Sequence, residues 1–330
     1  MGMAIRTAVW AIALVSLALG AAAAQDLRQD LRPWRHGVIE PKGDAGFSFM
    51  VGERDFAARH HLKLAILSFK NGAIAHKALL AGEVDSIESS PGAAILAGAR
   101  GADLKIVGCD WPGVPHGLMT RGDIASVDDL KGKTIAVAAP GSLPNLLIGA
   151  LLDKFRIAPG DVRFANLGGD LDRYKALAAG VVDAGVIAAE FLAIAPPGFR
   201  MLAAGRDVLP NYVRLCLTMT GRTLAERKDD AARFLAAEIE ALRFALAHRD
   251  ETIALTRRTI DAKADDPRPA FVFDDTVRHG GVDAEIAVPI DKLAWMQDEL
   301  VKAGNLPKPV DLARLADSRP RAAALALIGP

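Results

Sequence analysis

Two short stretches pair a hydroxyl with a place where a helix can begin: Ser89-Ser90-Pro91 and Gly141-Ser142-Leu143. A helix start leaves backbone N–H groups without intrahelical partners, and the helix dipole adds partial positive charge there. Serine at such a start therefore offers an anion several donors without a full cation. The plainer alternative for each is ordinary N-capping. Lys42 and Lys70-Asn71 add cations and an amide to the same set, although a lysine in a polar turn is more often simply solvated. Trp111 offers a flat face that can stack on a ligand or pack a hinge. Against these stand the carboxylates Asp44, Asp110, Asp170 and Glu190, which suit an amine or hydroxyl and repel a bare anion. The mixture points to an organic acid with a second polar or aromatic portion rather than to an inorganic anion.

Catalytic and metal signatures are weaker. His60-His61 are adjacent, so on a helix their side chains point about 100° apart, and no H-E-x-x-H is present. These and His76 read as solvated surface histidines. No G-x-S-x-G or Walker A motif occurs, and Gly168-Gly169-Asp170 reads as a turn rather than a dinucleotide fingerprint. No cofactor, metal or catalytic group is expected. Cys109 and Cys216 lack C-x-x-C neighbours. They can pair in an oxidising compartment or remain two separate buried thiols.

The chain has 330 residues, 40 basic and 40 acidic, for a formal net charge of zero. A balanced chain lacks the basic surplus of a nucleic-acid binder. Arg6 precedes an apolar or small stretch from Thr7 to Ala24 that ends in alanines, with Gln25 next. A positive start, an apolar middle and an A-x-A site describe a cleavable secretory signal over residues 1–24, cleaved after Ala24, with a membrane anchor as the alternative. A soluble periplasmic protein is the expectation.

Beyond the signal, short apolar runs alternate with longer helical stretches. Strands are expected at 37–40, 62–69, 84–87, 104–109, 116–121, 135–139, 162–165, 181–188 and 213–219. Helices fall between them, and 224–260 and 289–303 are almost wholly helical in character. Strands separated by helices of this length imply βαβ units and a mainly parallel sheet. One string occurs twice: KALLAGEVD at 77–85 and KALAAGVVD at 175–183, seven identities in nine positions. Its first five residues favour helix. The glycine suits the left-handed residue that ends one, and the valine opens the next strand. Each copy is a helix-to-strand corner, so two similar α/β lobes are expected, with ligand at the carboxyl ends of the strands.

Three stretches carry a family resemblance: ALLAGEVDSIESSPGAAILAGARGADLKIVG (78–108), SVDDLKGKTIAVAAPGSLPNLLIGALL (126–152) and RYKALAAGVVDAGVIAAEF (173–191). They resemble periplasmic substrate-binding proteins of ABC importers, in the branch that binds nitrate, taurine, alkanesulfonates and thiamine-pyrimidine precursors. The resemblance implies a type II periplasmic binding protein fold, with two Rossmann-like lobes joined by a two-crossing hinge. Lobe I would comprise residues 25–113 and 220–330, the latter helical with a C-terminal tail, and lobe II residues 114–219. The crossings would fall near Trp111–Gly117 and Met219. A small acid would bind between the lobes, which close and present it to a membrane permease; the protein would act as a monomer. A thiamine-precursor synthase of similar fold uses a histidine and a cysteine-rich motif, and this chain has no such cysteine cluster. A ligand sensor for a signalling receptor is a further alternative.

Overall fold

The computed structural model describes residues 31–329, so the expected signal segment and its cleavage site lie outside the described residues. Each apolar run that ends in a turn becomes a short strand. β1 (Arg32–Ile39), β2 (Leu62–Phe69), β3 (Ser86–Ser89) and β4 (Leu104–Trp111) precede β5 (His116–Thr120) and β6 (Thr134–Val137). β7 (Arg163–Asn166), β8 (Ala184–Ala188), β9 (Arg200–Ala204) and β10 (Leu215–Thr220) follow. They form two five-stranded sheets, ordered β2-β1-β3-β10-β4 and β7-β6-β8-β5-β9. β1 lies parallel to β2 and β3, and β6 parallel to β7 and β8. β10 runs antiparallel to β3 and β4, and β5 antiparallel to β8 and β9. The sheets are therefore mixed rather than mainly parallel.

One expected placement is corrected. The run 213–219, expected to finish the second lobe, supplies β10 to the first sheet, where Cys216 lies opposite Ser89 and Leu217 opposite Glu88. The chain thus returns to the first lobe before Leu215 and not near Met219. An apolar run reveals a buried strand, but not which sheet receives its hydrogen bonds. The first crossing lies between Trp111 and His116, within the expected stretch, and the Arg214 N–H donates to the Trp111 carbonyl at 2.9 Å, tying the two crossings together.

The repeated string folds twice in the same way. Helix α1 is Ala45–Phe49, α2 is Gly72–Ala81, α3 is Pro91–Ala99, α4 is Leu143–Lys154 and α5 is Asp170–Ala178. α2 and α5 end on Gly82 and Gly180, whose φ of 76° and 73° is the left-handed conformation that only glycine adopts at little cost. The N–H of the next residue reaches back to Ala78 and to Ala176, at 2.9 Å in both copies. The closing aspartates also match. Asp85 accepts from the Arg35 N–H and Asp183 from the Thr134 N–H, both at 2.8 Å, which pins each corner to the neighbouring strand.

Four further long helices complete the first lobe: α6 (Lys228–Ala247), α7 (Arg249–Thr259), α8 (Arg268–His279) and α9 (Ile290–Lys302). The tail is a helix, α10 (Arg319–Ile328), packed along α6. Trp34 and Phe234 stack in this core with ring centroids 5.4 Å apart. No helix among the described residues is long and apolar enough to cross a membrane.

Cys109 on β4 and Cys216 on β10 form a disulfide across a sequence separation of 107 residues, so the second sheet is bracketed by a covalent bond. Closing a loop of that length removes denatured-state entropy, with a typical effect of about 2–4 kcal/mol. Reduction, or a Cys109→Ala/Cys216→Ala variant, should lower the urea midpoint by that equivalent. Coincident oxidised and reduced unfolding curves would show that the bond contributes nothing.

Candidate functional site

The carboxyl ends of β1, β3, β4 and β8 converge where the lobes meet. The loop after β1 carries Lys42, Gly43 and Asp44 into α1. From the second lobe, Gly168-Gly169 turns the chain into α5 so that Asp170 sits in its first turn. Asp170 is only 4% exposed. It accepts from Arg173 Nη2 at 2.5 Å, from the Ala188 N–H at 3.1 Å and from His116 Nε2 at 3.3 Å, all within the second lobe. Lys42 Nζ reaches it from the first lobe at 2.5 Å. Burial opposes ionisation, but Lys42 and these partners outweigh it and hold the carboxyl well below the usual range. Burial keeps His116 neutral by lowering its pKa. The imidazole therefore donates through Nε2 and leaves Nδ1 buried without a partner.

A second ion pair lies on the hinge. Arg214, between the crossing segment and β10, pairs with Asp44 and lies over the Trp111 ring at 4.7 Å. Burial again works against the Asp44 charge, and Arg214 and Lys42 overcome it. Arg214 Nη1 is buried and has no hydrogen-bond partner among the described residues. Trp111 is 1% exposed and meets Phe47 edge-on at 5.5 Å, so most of its ring serves hinge packing.

Glu190 follows β8 as Ser90 follows β3. It is 5% exposed and accepts no hydrogen bond among the described residues. Burial, and then the neighbouring Asp44 charge, push its pKa up to about 7. Its Oε2 packs against Gly43 of the first lobe, so that a Cβ at that position would displace the carboxyl. Asp110 is likewise raised by burial to about 7, and Glu88, whose partner is Ser48 at 3.0 Å, is raised well above its ordinary value.

Lys42, Asp44, Glu88, Glu190 and Arg214 line two adjoining recesses, whereas Asp110 and Asp170 line neither. One, of about 360 Å³ and partly open to solvent, is lined from both lobes by Lys42, Asp44, Trp111, Glu190, Arg214 and Phe271, among others. The other, of about 300 Å³, shares Lys42, Asp44 and Arg214 and reaches Ser48 and Glu88.

The serine pair lies elsewhere along the same seam. Gly92 and Gly141 bring the starts of α3 and α4 together, since a Cβ on Gly92 would lie 3.7 Å from the Gly141 carbonyl. Neither Ser90 nor Ser142 caps its helix through the side chain. Ser90 Oγ lies 3.4 Å from the Tyr212 hydroxyl, and Ser142 Oγ is buried without a partner. Ser89 is fully buried, 3.5 Å from His76 Nδ1, and Leu143 is buried beneath the seam. Lys70 and Asn71 stay exposed and line neither recess; Asn71 instead caps α2 by accepting from the Ile74 N–H at 3.0 Å.

Two histidine expectations change. His76 is 5% exposed, not solvated, because α2 turns it inward where Nδ1 meets the Gly72 carbonyl at 2.8 Å. His60 is half-buried against Glu240 at 3.1 Å. No metal-binding cluster occurs among the described residues.

Several cleft residues lay outside the sequence expectations: Arg214, His116 and Arg173, and Phe271, Val272, Asp275 and Thr276 on α8. Arg214 was detectable as the one charge beside an apolar strand. α8 was detectable from Pro267 and Pro269 at its start and Gly280-Gly281 at its end.

Residues 47–252 match a family model described as NMT1/THI5 like. No curated protein matches the chain in sequence. Solved structures share the fold. The periplasmic aliphatic sulphonate binding protein SsuA from Escherichia coli is 24% identical with a TM-score of 0.72, covering 86% of this chain and 96% of its own. The alkanesulfonate-binding protein SsuA from Xanthomonas axonopodis pv. citri, bound to MOPS, is 21% identical at TM-score 0.70, covering 87% and 99%. The desulfurization enzyme DSZB is 17% identical at TM-score 0.66, covering 90% and 100%. The two-lobed architecture is thus that of the periplasmic binding proteins.

Asp170 supplies the counter-charge for this buried cluster. Asp170→Asn should destabilise the protein by about 3–5 kcal/mol at neutral pH, because it strands Arg173 and Lys42. Its folded pKa lies below the unfolded value, so its stabilisation is complete above about pH 4 and is lost as pH falls further. Urea unfolding from pH 7 to pH 3 should show a shallower acid decline in the variant. Parallel curves for the two proteins would remove Asp170 from this role.

Proposed function

Because the chain belongs to the NMT1/THI5-like family, we propose that it is the soluble periplasmic solute-binding component of an ABC importer. It captures a small organic acid between its lobes and delivers it to a membrane permease. The observation that carries this reading is a recess lined from both lobes to which Arg214 contributes, its buried Nη1 having no hydrogen-bond partner among the described residues. A buried guanidinium N–H left unpaired is costly, and a carboxylate or sulfonate oxygen is the acceptor that suits it. Phe271 on the same wall suits an apolar or aromatic body.

The pairing of Lys42 with Asp170 and of Arg214 with Asp44 also supports the reading. Asp44 and Asp170 are matched by cations, so they do not exclude an acid as ligand. Secretion through the 1–24 signal and action as a monomer belong to the same proposal. The sulfonate binders of like fold favour capture. A desulfurization enzyme shares the fold, so conversion of the ligand is the second reading.

A thermal-shift screen of aliphatic and aromatic sulfonates, carboxylates and thiamine precursors tests the proposal. A binder raises the melting temperature by mass action, and its recovery unchanged by mass spectrometry separates capture from conversion. Arg214→Lys keeps the charge but loses the planar fork, so it should weaken the best binder about tenfold or more. Equal affinity in the variant would displace Arg214 from the site, and a screen without any acid that binds would overturn the reading.

A further inference from the structure

We propose that Glu190 meets the ligand's acid group as a neutral carboxylic acid, so that the site captures an organic anion together with one proton. This rests on the reading of the cleft as an organic-acid site. Glu190 and Arg214 line the same recess. Glu190 is 5% exposed and its carboxyl accepts no hydrogen bond among the described residues, while Arg214 Nη1 is buried without a partner among them. An oxyanion between them can accept from Arg214 Nη1 and, if Glu190 carries its proton, from Glu190 as well. An ionised Glu190 would face that oxyanion as a second negative charge from a largely buried position.

Burial, and then Asp44, favours the protonated form, while Lys42 and Arg268 oppose it; an anion bound in the recess tips the surrounding charges toward the protonated form as well. Lys42 and Asp44 face Glu190 from the loop after β1, Asp170 from α5, and Arg268 from α8. Arg214 and Asp275 line the same recess. Behind them, Arg173 pairs with Asp170, Asp266 with Arg268 and Arg206 with Asp275. His116 beside Asp170 is held neutral by burial. With Glu190 neutral, these ions sum to a single positive charge, which one monoanionic ligand cancels. With Glu190 ionised, they sum to zero before the ligand arrives, and the occupied site carries an uncompensated negative charge.

Gly43 fixes the geometry. It packs directly on Glu190 Oε2, so lobe contact confines the carboxyl beside the recess and away from solvent. Burial and the Asp44 charge hold its pKa near 7 before any ligand binds, and an incoming anion raises it further. The proton comes from solvent and remains on Glu190 while the anion is bound.

Benzenesulfonate is the chosen probe because it stays ionised throughout the range, with benzoate as a second anion and benzylamine as the cationic counterpart. Benzenesulfonate affinity should be nearly constant below pH 6 and fall about tenfold per unit well above pH 7. Calorimetry at pH 8 in two buffers of different ionisation enthalpy should show uptake of close to one proton. Glu190→Gln, checked for folding by its thermal melt, should abolish this pH slope. Anion binding with the same pH slope in both proteins, or without proton uptake in the wild type, overturns the inference and leaves the organic-acid reading intact. Preferential binding of benzylamine with proton release overturns the inference and the organic-acid reading together. Failure of every anion at every pH removes the organic-acid reading, and the inference falls with it.

Discussion

A carboxylate excluded from water must be surrounded by donors, and Asp170 is where this fold meets that requirement. Three of its partners, Arg173, His116 and the Ala188 N–H, belong to the second lobe and are in place whether or not the lobes touch. The fourth, Lys42, arrives from the first lobe and remains 26% exposed. Separating the lobes would return Lys42 to water at modest cost while Asp170 keeps its other donors. The contact can therefore open without stranding a buried charge. A pair buried equally on both sides would lock the lobes shut, since breaking it would leave an uncompensated ion.

Arg214 is held differently. Its backbone N–H is bonded to Trp111, its guanidinium lies on the same indole, and Cys216 is tied to Cys109 two residues further on. Arg214, which lines the recess, is thus mounted on the crossing between the lobes. Asp44 holds part of the fork and leaves Nη1 unpaired. The two cations of the cleft thus differ in setting, Lys42 partly exposed on the loop after β1 and Arg214 buried at the crossing, each with its own carboxylate.

The duplicated corner was legible because its constraints are local. A left-handed glycine, a buried valine and an aspartate bonded to the adjacent strand are all set within nine residues, and both copies keep all three. Lys42, Asp44, Asp170 and Glu190 were legible for a related reason: strand ends followed by turns must face the crevice. What stayed hidden depends on long-range partnership. Val213–Met219 reads as a strand, but its antiparallel pairing with β3 and β4 is fixed by the return path of the chain. α8 sits more than 70 residues beyond the Glu190 segment it covers, and no local pattern records that contact. Ser89 shows the converse error, because a serine at a strand end reads as a donor until His76 is found turned onto it.

The acids of the cleft posed the sharpest conflict with an anionic ligand, and the conflict arises from counting residue types as fixed charges. Asp44 and Asp170 are ionised but matched by cations. Glu88 and Asp110 are pushed toward neutrality by burial. Among the described acids that line the recess shared by both lobes, Glu190 alone has no cation bonded to it, and burial pushes its pKa up to about 7. The electrostatic character of the cleft is therefore set by the protonation of one group rather than by its composition. A buried lysine in the place of Glu190 would attract an acid more strongly. It would also leave an unpaired cation in the empty site, at a desolvation cost of several kcal/mol. A carboxyl that can be neutral avoids that cost when the site is empty and still offers a donor when it is filled.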